Sequence, residues 1–367
     1  MPNISKENGK WMIRWRETDE TGVHQRRKRG FNTKKEAEAW YYFHYKEYEE
    51  KEKAVAVTTA EPVESDPNSI MFADLAEAWL VYQKNRVKES SYVSNVNRVR
   101  NIIIPAFEGK RVSDIKPLDI LHWMEGLQAK YAFGYAKTLY TRLASIYRYG
   151  VKYYDITNVM EKVDRPRNTQ PKKQMQVWTP EQFAKVIEQI DDPEYNFFIR
   201  TLYLLGCRRG ELQALQWQDI DFDARTIHIC HTITNKTTAG PWAMTSPKTT
   251  GSDRKIKISE RQMREFRDLY DTRHPSPDHF VFGILRPLPE QTIGVKFRAA
   301  AKAAGVPQIR IHDLRHSCAS YLISQGVDIV TVSRRLGHSS VKQTLDTYSH
   351  MMPSAEDLSV KIMDKIV

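Results

Sequence analysis

The sequence predicts a multidomain, mainly α chain with α+β parts, and three observations lead there. At 367 residues it exceeds what one ordinary hydrophobic core supports, which suggests two or three domains. Its first stretch alternates with period two, its middle follows the helical period, and its last part interleaves β-prone runs with helices. Apolar residues at 41% and aromatics at 11% suffice to build real cores, which argues against wholesale disorder.

Residues 1–50 read as a small β-then-α unit. Over residues 10–16, Trp11, Ile13 and Trp15 fall on one side while Arg14 and Arg16 fall on the other; that alternation marks a half-buried strand with arginines on its wet face. Turn residues follow at 18–22, and residues 23–31 give a second strand bearing Arg26, Arg27, Lys28 and Arg29. Thr33 to Glu36 has capping-box spacing and opens a helix through Trp40 towards Glu50. A basic β-ribbon suits a DNA groove, and a solvated charged face gives the same pattern. Residues 51–69 lack periodicity and carry two prolines, as a linker does.

From residue 71 to 164 the pattern is helical. Phe72, Leu75, Ala76, Trp79, Leu80 and Gln83 follow i, i+3, i+4, i+7 spacing. Ser90 and Ser91 are cap candidates for a second helix through Val96, Val99 and Ile103, broken over residues 105–110. Pro117 opens a third, with Leu121, Trp123 and Leu127 among its apolar positions. A fourth runs from about Phe133 to Tyr153 and ends near Asp155, with Lys137, Arg142, Arg148 and Lys152 at polar positions. Core packing accounts for the aromatics of this block better than base stacking does. Residues 165–176, with Lys172 and Lys173, form a second, basic linker.

The last block begins with Thr179 as N-cap, Pro180 at the first helical position and Glu181 in the first turn. Helices follow to about Ala214. β-prone runs at residues 226–233 and 255–258 flank a segment rich in Gly, Pro and Lys over residues 236–252, and helices return from Gln291 to the end. No internal repeat of fixed period is visible.

Lys plus Arg number 56 against 45 Asp plus Glu, a net charge of +11, so a polyanionic partner is expected, although charge says nothing about fold. Cys207, Cys230 and Cys318 are odd in number and lack C-x-x-C spacing. That argues against a disulfide framework or a Cys-rich zinc site and fits a reducing cytoplasm. The N-terminus has no apolar signal core and no window reaches eighteen apolar residues, so neither secretion nor membrane insertion is expected.

Four short stretches carry chemistry. In Gly206-Cys207-Arg208-Arg209-Gly210-Glu211 the glycine suggests a tight helix junction presenting Arg208, and Glu211 three residues on shares its face. Lys248 sits in residues 247–254, which read as a β-hairpin tip from which a lysine could reach a phosphodiester and give a proton to a leaving alkoxide. His312 and Arg315 open a helix, where free amides and the dipole favour anions; the arginine can clamp two oxygens and the histidine can shuttle a proton. His316 lies four residues from His312, which is also metal-ligand spacing. Asp313 stands where a metalloprotease has its glutamate, and no third ligand has motif spacing, so His316 reads as a packed structural histidine. His338 follows Leu336-Gly337, where the glycine ends a helix begun near Asp328. Tyr348 lies ten residues further on; near pH 7 its hydroxyl needs help to act as a nucleophile.

Together these residues make the chain resemble the tyrosine recombinases, specifically the integrases of temperate phages and integrative conjugative elements. Gly206-x-Arg208-x-x-Glu211, Lys248 in Pro-Lys-Thr, His312-x-x-Arg315 with Leu336-Gly337-His338, and Tyr348 fall in family order, with His338 where some relatives carry tryptophan. The resemblance implies a three-stranded arm-binding domain with a helix (1–50), a helical core-binding domain (70–164) and a mainly-α catalytic domain with a small antiparallel sheet (177–367). It implies that Tyr348 attacks the scissile phosphate, leaving a 3′-phosphotyrosine and a free 5′-hydroxyl. Arg208 and Arg315 would hold the non-bridging oxygens, and Lys248 would be the general acid. His312 would serve as proton acceptor or donor near the tyrosine, His338 would brace a phosphate oxygen or Tyr348, and Glu211 would orient its neighbours. No metal, ATP or other cofactor is needed in that chemistry. The partners implied are double-stranded DNA at core-type and arm-type attachment sites, further protomers in a tetramer coupled by the amphipathic tail over residues 354–367, and DNA-bending and directionality proteins. Candidate DNA contacts are Arg14, Arg16, Arg26, Lys28, Arg148, Lys152, Lys172 and Lys173. A metal-dependent phosphodiesterase built on His312, His316 and His338 is the rival enzyme reading. A catalytically silent DNA-binding regulator is the rival outside catalysis; the intact set of six catalytic residues argues against it.

Overall fold

The computed structural model describes residues 3–7, 10–19, 22–34, 66–168, 175–238, 240–246, 250–349, 360 and 363–364, without the side chains of residues 3, 15–19 and 22–24. The chain forms two compact units, Met1–Ser69 and Ile70–Val367. The helix expected after Thr33, most of the linker over residues 51–69, Lys172, Lys173, Lys248 and most of the tail lie outside the described residues.

The first unit is an antiparallel sheet of β1 (Asn3–Glu7), β2 (Lys10–Asp19) and β3 (Gly22–Phe31), in that order. Strict alternation puts Met12 on the wet face with Arg14. Instead the β2–β3 register shifts between Trp11 and Met12, so Met12 and Ile13 are both buried and Arg14 is exposed. The bulge adds a residue and re-aims the side chains after it, which a period-two reading cannot foresee. Ile13 and Phe31 form the small core, with Ile4 and Trp11 against it.

The second unit holds two large apolar clusters. The first is built from α1 (Phe72–Lys84), α2 (Glu89–Arg98), α3 (Pro117–Lys130) and α4 (Phe133–Tyr154). The expected periodicity of α1 is the observed buried face: Phe72, Leu75, Ala76, Trp79 and Leu80. Two details differ. Ser90 and Ser91 are not caps; α2 starts one residue after Lys88, with no side-chain cap bond. It continues into a π-turn over Val99–Ile103 and a one-turn helix Ile104–Ala106, so Pro105 stands at a helical start rather than ending one. In α3 the buried face is Ile120, Met124 and Leu127, and Leu121 is exposed, because a helix turns 100° per residue and Leu121 falls past the edge of that face.

The second cluster spans α5 (Pro180–Ile187), α6 (Pro193–Leu205), α7 (Arg209–Gln213), α8 (Glu260–Arg273), α9 (Glu290–Ala303) and the start of α10 (Asp313–Ser324). Thr179 caps α5 as expected, its hydroxyl accepting from Gln182 N at 3.3 Å. Against these helices packs a sheet of β4 (Ile220–Asp221), β5 (Thr226–Ile229) and β8 (Arg254–Lys257), with β6 (Thr232–Thr234) and β7 (Ala243–Thr245) as a separate ribbon. The register aligns Ile220 with Ile227 and Ile227 with Ile256, a row of buried isoleucines on the core face. Two further helices, α11 (Ile329–Leu336) and α12 (Val341–Tyr348), close a third small cluster of Ala319, Ile323, Val332, Leu336 and Tyr348. No described helix is long and apolar enough to cross a membrane.

Candidate active site

Three chain reversals converge at one place. After α6 the chain turns at Gly206, which has φ +65°; a Cβ there would meet Leu336 Cδ2 at 3.0 Å and Cys318 Sγ at 3.1 Å. This left-handed cap brings Arg208 to the N-terminus of α7. After α11 a second left-handed glycine, Gly337 at φ +72°, delivers His338 to the same region, as the sequence predicts. The third is the start of α10, where His312 is the N-cap and Arg315 lies in the first turn.

Glu211 organises the arginines. Its carboxylate is 2% exposed and accepts from Arg208 Nη1 at 2.6 Å, Arg208 N at 2.9 Å and Arg254 Nη2 at 3.0 Å. Burial alone would raise its pKa, but Arg254, the Arg208 amide and the Arg208 guanidinium together hold it below the ordinary carboxylate value. Arg208 also reaches Ser252 Oγ at 3.1 Å, while a third of its side chain stays open to solvent. Arg315 is buried: Nη1 donates to the carbonyls of Gly206 at 2.9 Å and Leu336 at 2.5 Å, and Nη2 has no partner among the described residues. A buried guanidinium with an unused donor is costly, and an anionic ligand is what would satisfy it.

His312 and His338 are both pushed down to about 4, each by burial first. His316 and Arg315 then act on His312, and Arg315 and Arg208 on His338. Both are therefore neutral at pH 7. His338 Nδ1 lies 2.7 Å from Thr344 Oγ1, which fixes its ring. Tyr348 is fully buried, and burial holds its hydroxyl above the ordinary phenol value against the pull of Arg315.

The structure thus brings together Arg208, Glu211, His312, Arg315, His338 and Tyr348, while Lys248 is outside the described residues. It also adds to the expectation for His316. His316 packs with Nδ1 2.5 Å from the Tyr348 hydroxyl, and its ring meets that of His312 edge to face at 5.4 Å. Sequence reasoning also missed Arg254, which is 8% exposed and donates to Glu211, to Arg335 O at 2.7 Å and to Ser252 O at 2.9 Å. Its only local signal was a basic residue at the start of a strand. Among the described residues the one group offering three clustered ligand atoms is Asp219, His228 and Cys230, on the sheet, and it shares no member with this constellation.

A cleft of about 560 Å³ opens beside the site. Arg208 and His312 line one side, and Lys88, Ser91, Arg98 and Arg142 of the helical cluster line the other. Glu89 bridges the two, accepting from Thr238 N at 2.8 Å and Thr238 Oγ1 at 2.6 Å. Of the candidate DNA contacts, Arg14, Arg26 and Lys28 are exposed on the first sheet and Arg148 and Lys152 on α4; the Arg16 side chain is outside the described set.

Comparison with known proteins bears on the whole chain. Residues 176–354 match the phage integrase family, residues 71–128 the N-terminal SAM-like domain of phage integrases, and residues 3–42 an arm DNA-binding domain. The ICEBs1 integrase of Bacillus subtilis is 32% identical over 209 residues, 53% of this chain, and the match spans 56% of that protein's length. The integrase of Staphylococcus phage L54a is 24% identical over 341 residues, covering 83% of this chain and 95% of its own. In fold, the chain is similar to the Tn1549 transposon integrase in complex with transposon right end DNA, with a TM-score of 0.64 at 19% identity over 81% of this chain and 99% of that one. A λ integrase dimer bound to a core site gives 0.62 at 16% identity over 94% of both chains.

Proposed function

Because the chain belongs to the phage integrase family of tyrosine recombinases, we propose that it is a site-specific recombinase that integrates and excises a mobile element through a 3′-phosphotyrosine intermediate. The observation that carries this is the grouping of Arg208, His312 and His338 around the buried Arg315, whose Nη2 has no partner among the described residues, with His316 on the Tyr348 hydroxyl. A pentacoordinate phosphate gains negative charge, and fixed donors stabilise it without reorganising.

In this reading Arg208 and Arg315 bind the non-bridging oxygens of the scissile phosphate. His312 and His338 are neutral, so each can donate one hydrogen bond to phosphate without adding charge. Tyr348 attacks phosphorus, the bond to the 5′-oxygen breaks, and Lys248 supplies that oxygen's proton. Glu211 and Arg254 touch no substrate; they hold Arg208 in place. The 5′-hydroxyl of a second strand then reverses the step, so the phosphodiester's bond energy is kept.

The finer organisation is part of the same proposal. Residues 1–50 bind arm-type sites, 70–164 and 177–367 clamp core-type DNA, with linkers over 51–69 and 165–176. The tail from residue 354 docks on a neighbouring protomer in a tetramer, and accessory proteins bend the DNA and set direction. The cleft lined by Lys88, Arg98, Arg142 and Arg208 supports the clamp.

The test is Tyr348→Phe on a suicide substrate bearing a core-type site. Loss of the covalent protein–DNA adduct, with an unchanged mobility shift, is expected. Adduct formation by that variant would remove Tyr348 as the nucleophile.

A further inference from the structure

We propose that His316 is the proton acceptor for Tyr348, its Nδ1 taking the phenolic proton as the tyrosine attacks and returning it on rejoining. This rests on the reading of Tyr348 as nucleophile. It moves to His316 a role that the family resemblance gives to His312.

The geometry is direct. An acceptor must lie within hydrogen-bond reach of the proton it takes, and His316 Nδ1 lies 2.5 Å from the Tyr348 oxygen. The bond described for that hydroxyl runs to His316, while His312 meets His316 ring to ring. A phenol holds its proton at pH 7, so it donates, and the imidazole must carry its own proton on Nε2. The charged and titratable groups facing His316 are Arg310, His312, Asp313 and Arg315 from its own segment, and His338 and Tyr348 from the elements packed against it. Burial outweighs the favourable pull of Asp313 and keeps the ring's pKa below that of free histidine. The imidazole is thus neutral and able to accept.

The step balances. The phenolic O–H breaks as N–H forms on Nδ1, and phosphorus bonds to the tyrosine oxygen as it releases the 5′-oxygen, which leaves with a proton from the general acid. In rejoining, a 5′-hydroxyl displaces the tyrosine oxygen, which recovers its proton from the imidazolium. His316 follows Arg315 in α10, so the phosphate clamp and the proton acceptor are carried on one rigid element. The Tyr348 hydroxyl is closed to solvent, so the acceptor at hydrogen-bond distance is the protein's own imidazole.

The experiment is single-turnover cleavage of the suicide substrate across pH by the full chain, comparing wild type with His316→Gln and Tyr348→Phe. Glutamine can keep a hydrogen bond to the phenol but cannot accept its proton. Wild-type rate should fall off on the acid side, at a pH below that at which free histidine titrates. The glutamine variant, with mobility shift and thermal melt retained, should be slower by on the order of a hundredfold and rise steadily with pH as hydroxide becomes the acceptor. His316→Asn serves if the glutamine variant fails to fold. A variant that keeps the wild-type pH profile overturns the proposal. Adduct formation by Tyr348→Phe would instead overturn the nucleophile assignment beneath it.

Discussion

Glu211 shows how one buried residue sets the chemistry of others. It neutralises Arg208 and Arg254 at a point where two guanidinium groups would otherwise repel. Glu211→Gln leaves Arg254 buried without its counter-charge and should cost about 3 kcal/mol of stability, read from urea unfolding. Because the folded pKa of Glu211 is depressed, its stabilisation is present above the unfolded carboxylate value and is lost as pH falls through the folded one. The histidines act at higher pH. His312 and His338 have folded values near 4 against 6.5 unfolded, so the unfolded chain binds more protons between those limits and stability falls as pH drops from 6.5 to 4. Thermal melts should show this decline, and His338→Asn should flatten it. Arg208, His312, Arg315 and Tyr348 were legible because their spacing is local and distinctive. Arg254 and the His316–Tyr348 bond were not, because residues 43 and 32 positions from their partners carry no periodic signal.

At the scale of elements, the site is an assembly of helix ends. Gly206 closes α6, Arg208 starts α7, His312 starts α10 and Gly337 closes α11. Gly337→Ala would force a left-handed alanine, costing about 1–2 kcal/mol, and would set its Cβ 2.7 Å from Arg254 Nη1 and 2.9 Å from Gly251 O. Cleavage should fall tenfold or more while DNA binding persists, because Arg254 and His338 are displaced together; a suicide-substrate rate beside a mobility shift checks this. Asp328, whose carboxylate accepts from Val330 N at 3.0 Å and Thr331 N at 2.9 Å, caps α11, and Asp328→Ala should lower the melting temperature by the equivalent of about 1 kcal/mol. Most helix positions were legible because amphipathic spacing and caps are local. The β2 bulge and the true buried face of α3 were not, since a bulge arises from strand pairing, and adjacent apolar residues are sorted only by what packs on them.

At the scale of the molecule, the two units differ in charge. Residues 1–69 carry 13 Lys or Arg and 13 Asp or Glu, so the whole net charge of +11 belongs to residues 70–367. Counterion release scales with the number of phosphates neutralised. A 70–367 fragment should therefore fold, keep core-site binding with nearly the full chain's salt dependence, and lose arm-site binding. Fluorescence anisotropy from about 50 to 200 mM salt measures this. A large loss of salt slope would place the electrostatic footprint in the first unit instead.

The sequence by itself determined that this chain has a β unit, a helical block and a mixed block, and it singled out Arg208, His312, Arg315, His338 and Tyr348 as one set of candidates. Helical periods, capping residues and short motifs are written locally, so they can be read without a fold. Only the tertiary structure decided that Glu211 is the shared counter-ion of two arginines, that Arg315 Nη2 has no partner among the described residues, and that the histidine against the Tyr348 hydroxyl is His316. Those facts depend on which helix ends meet, and that is set by packing across more than a hundred residues of chain.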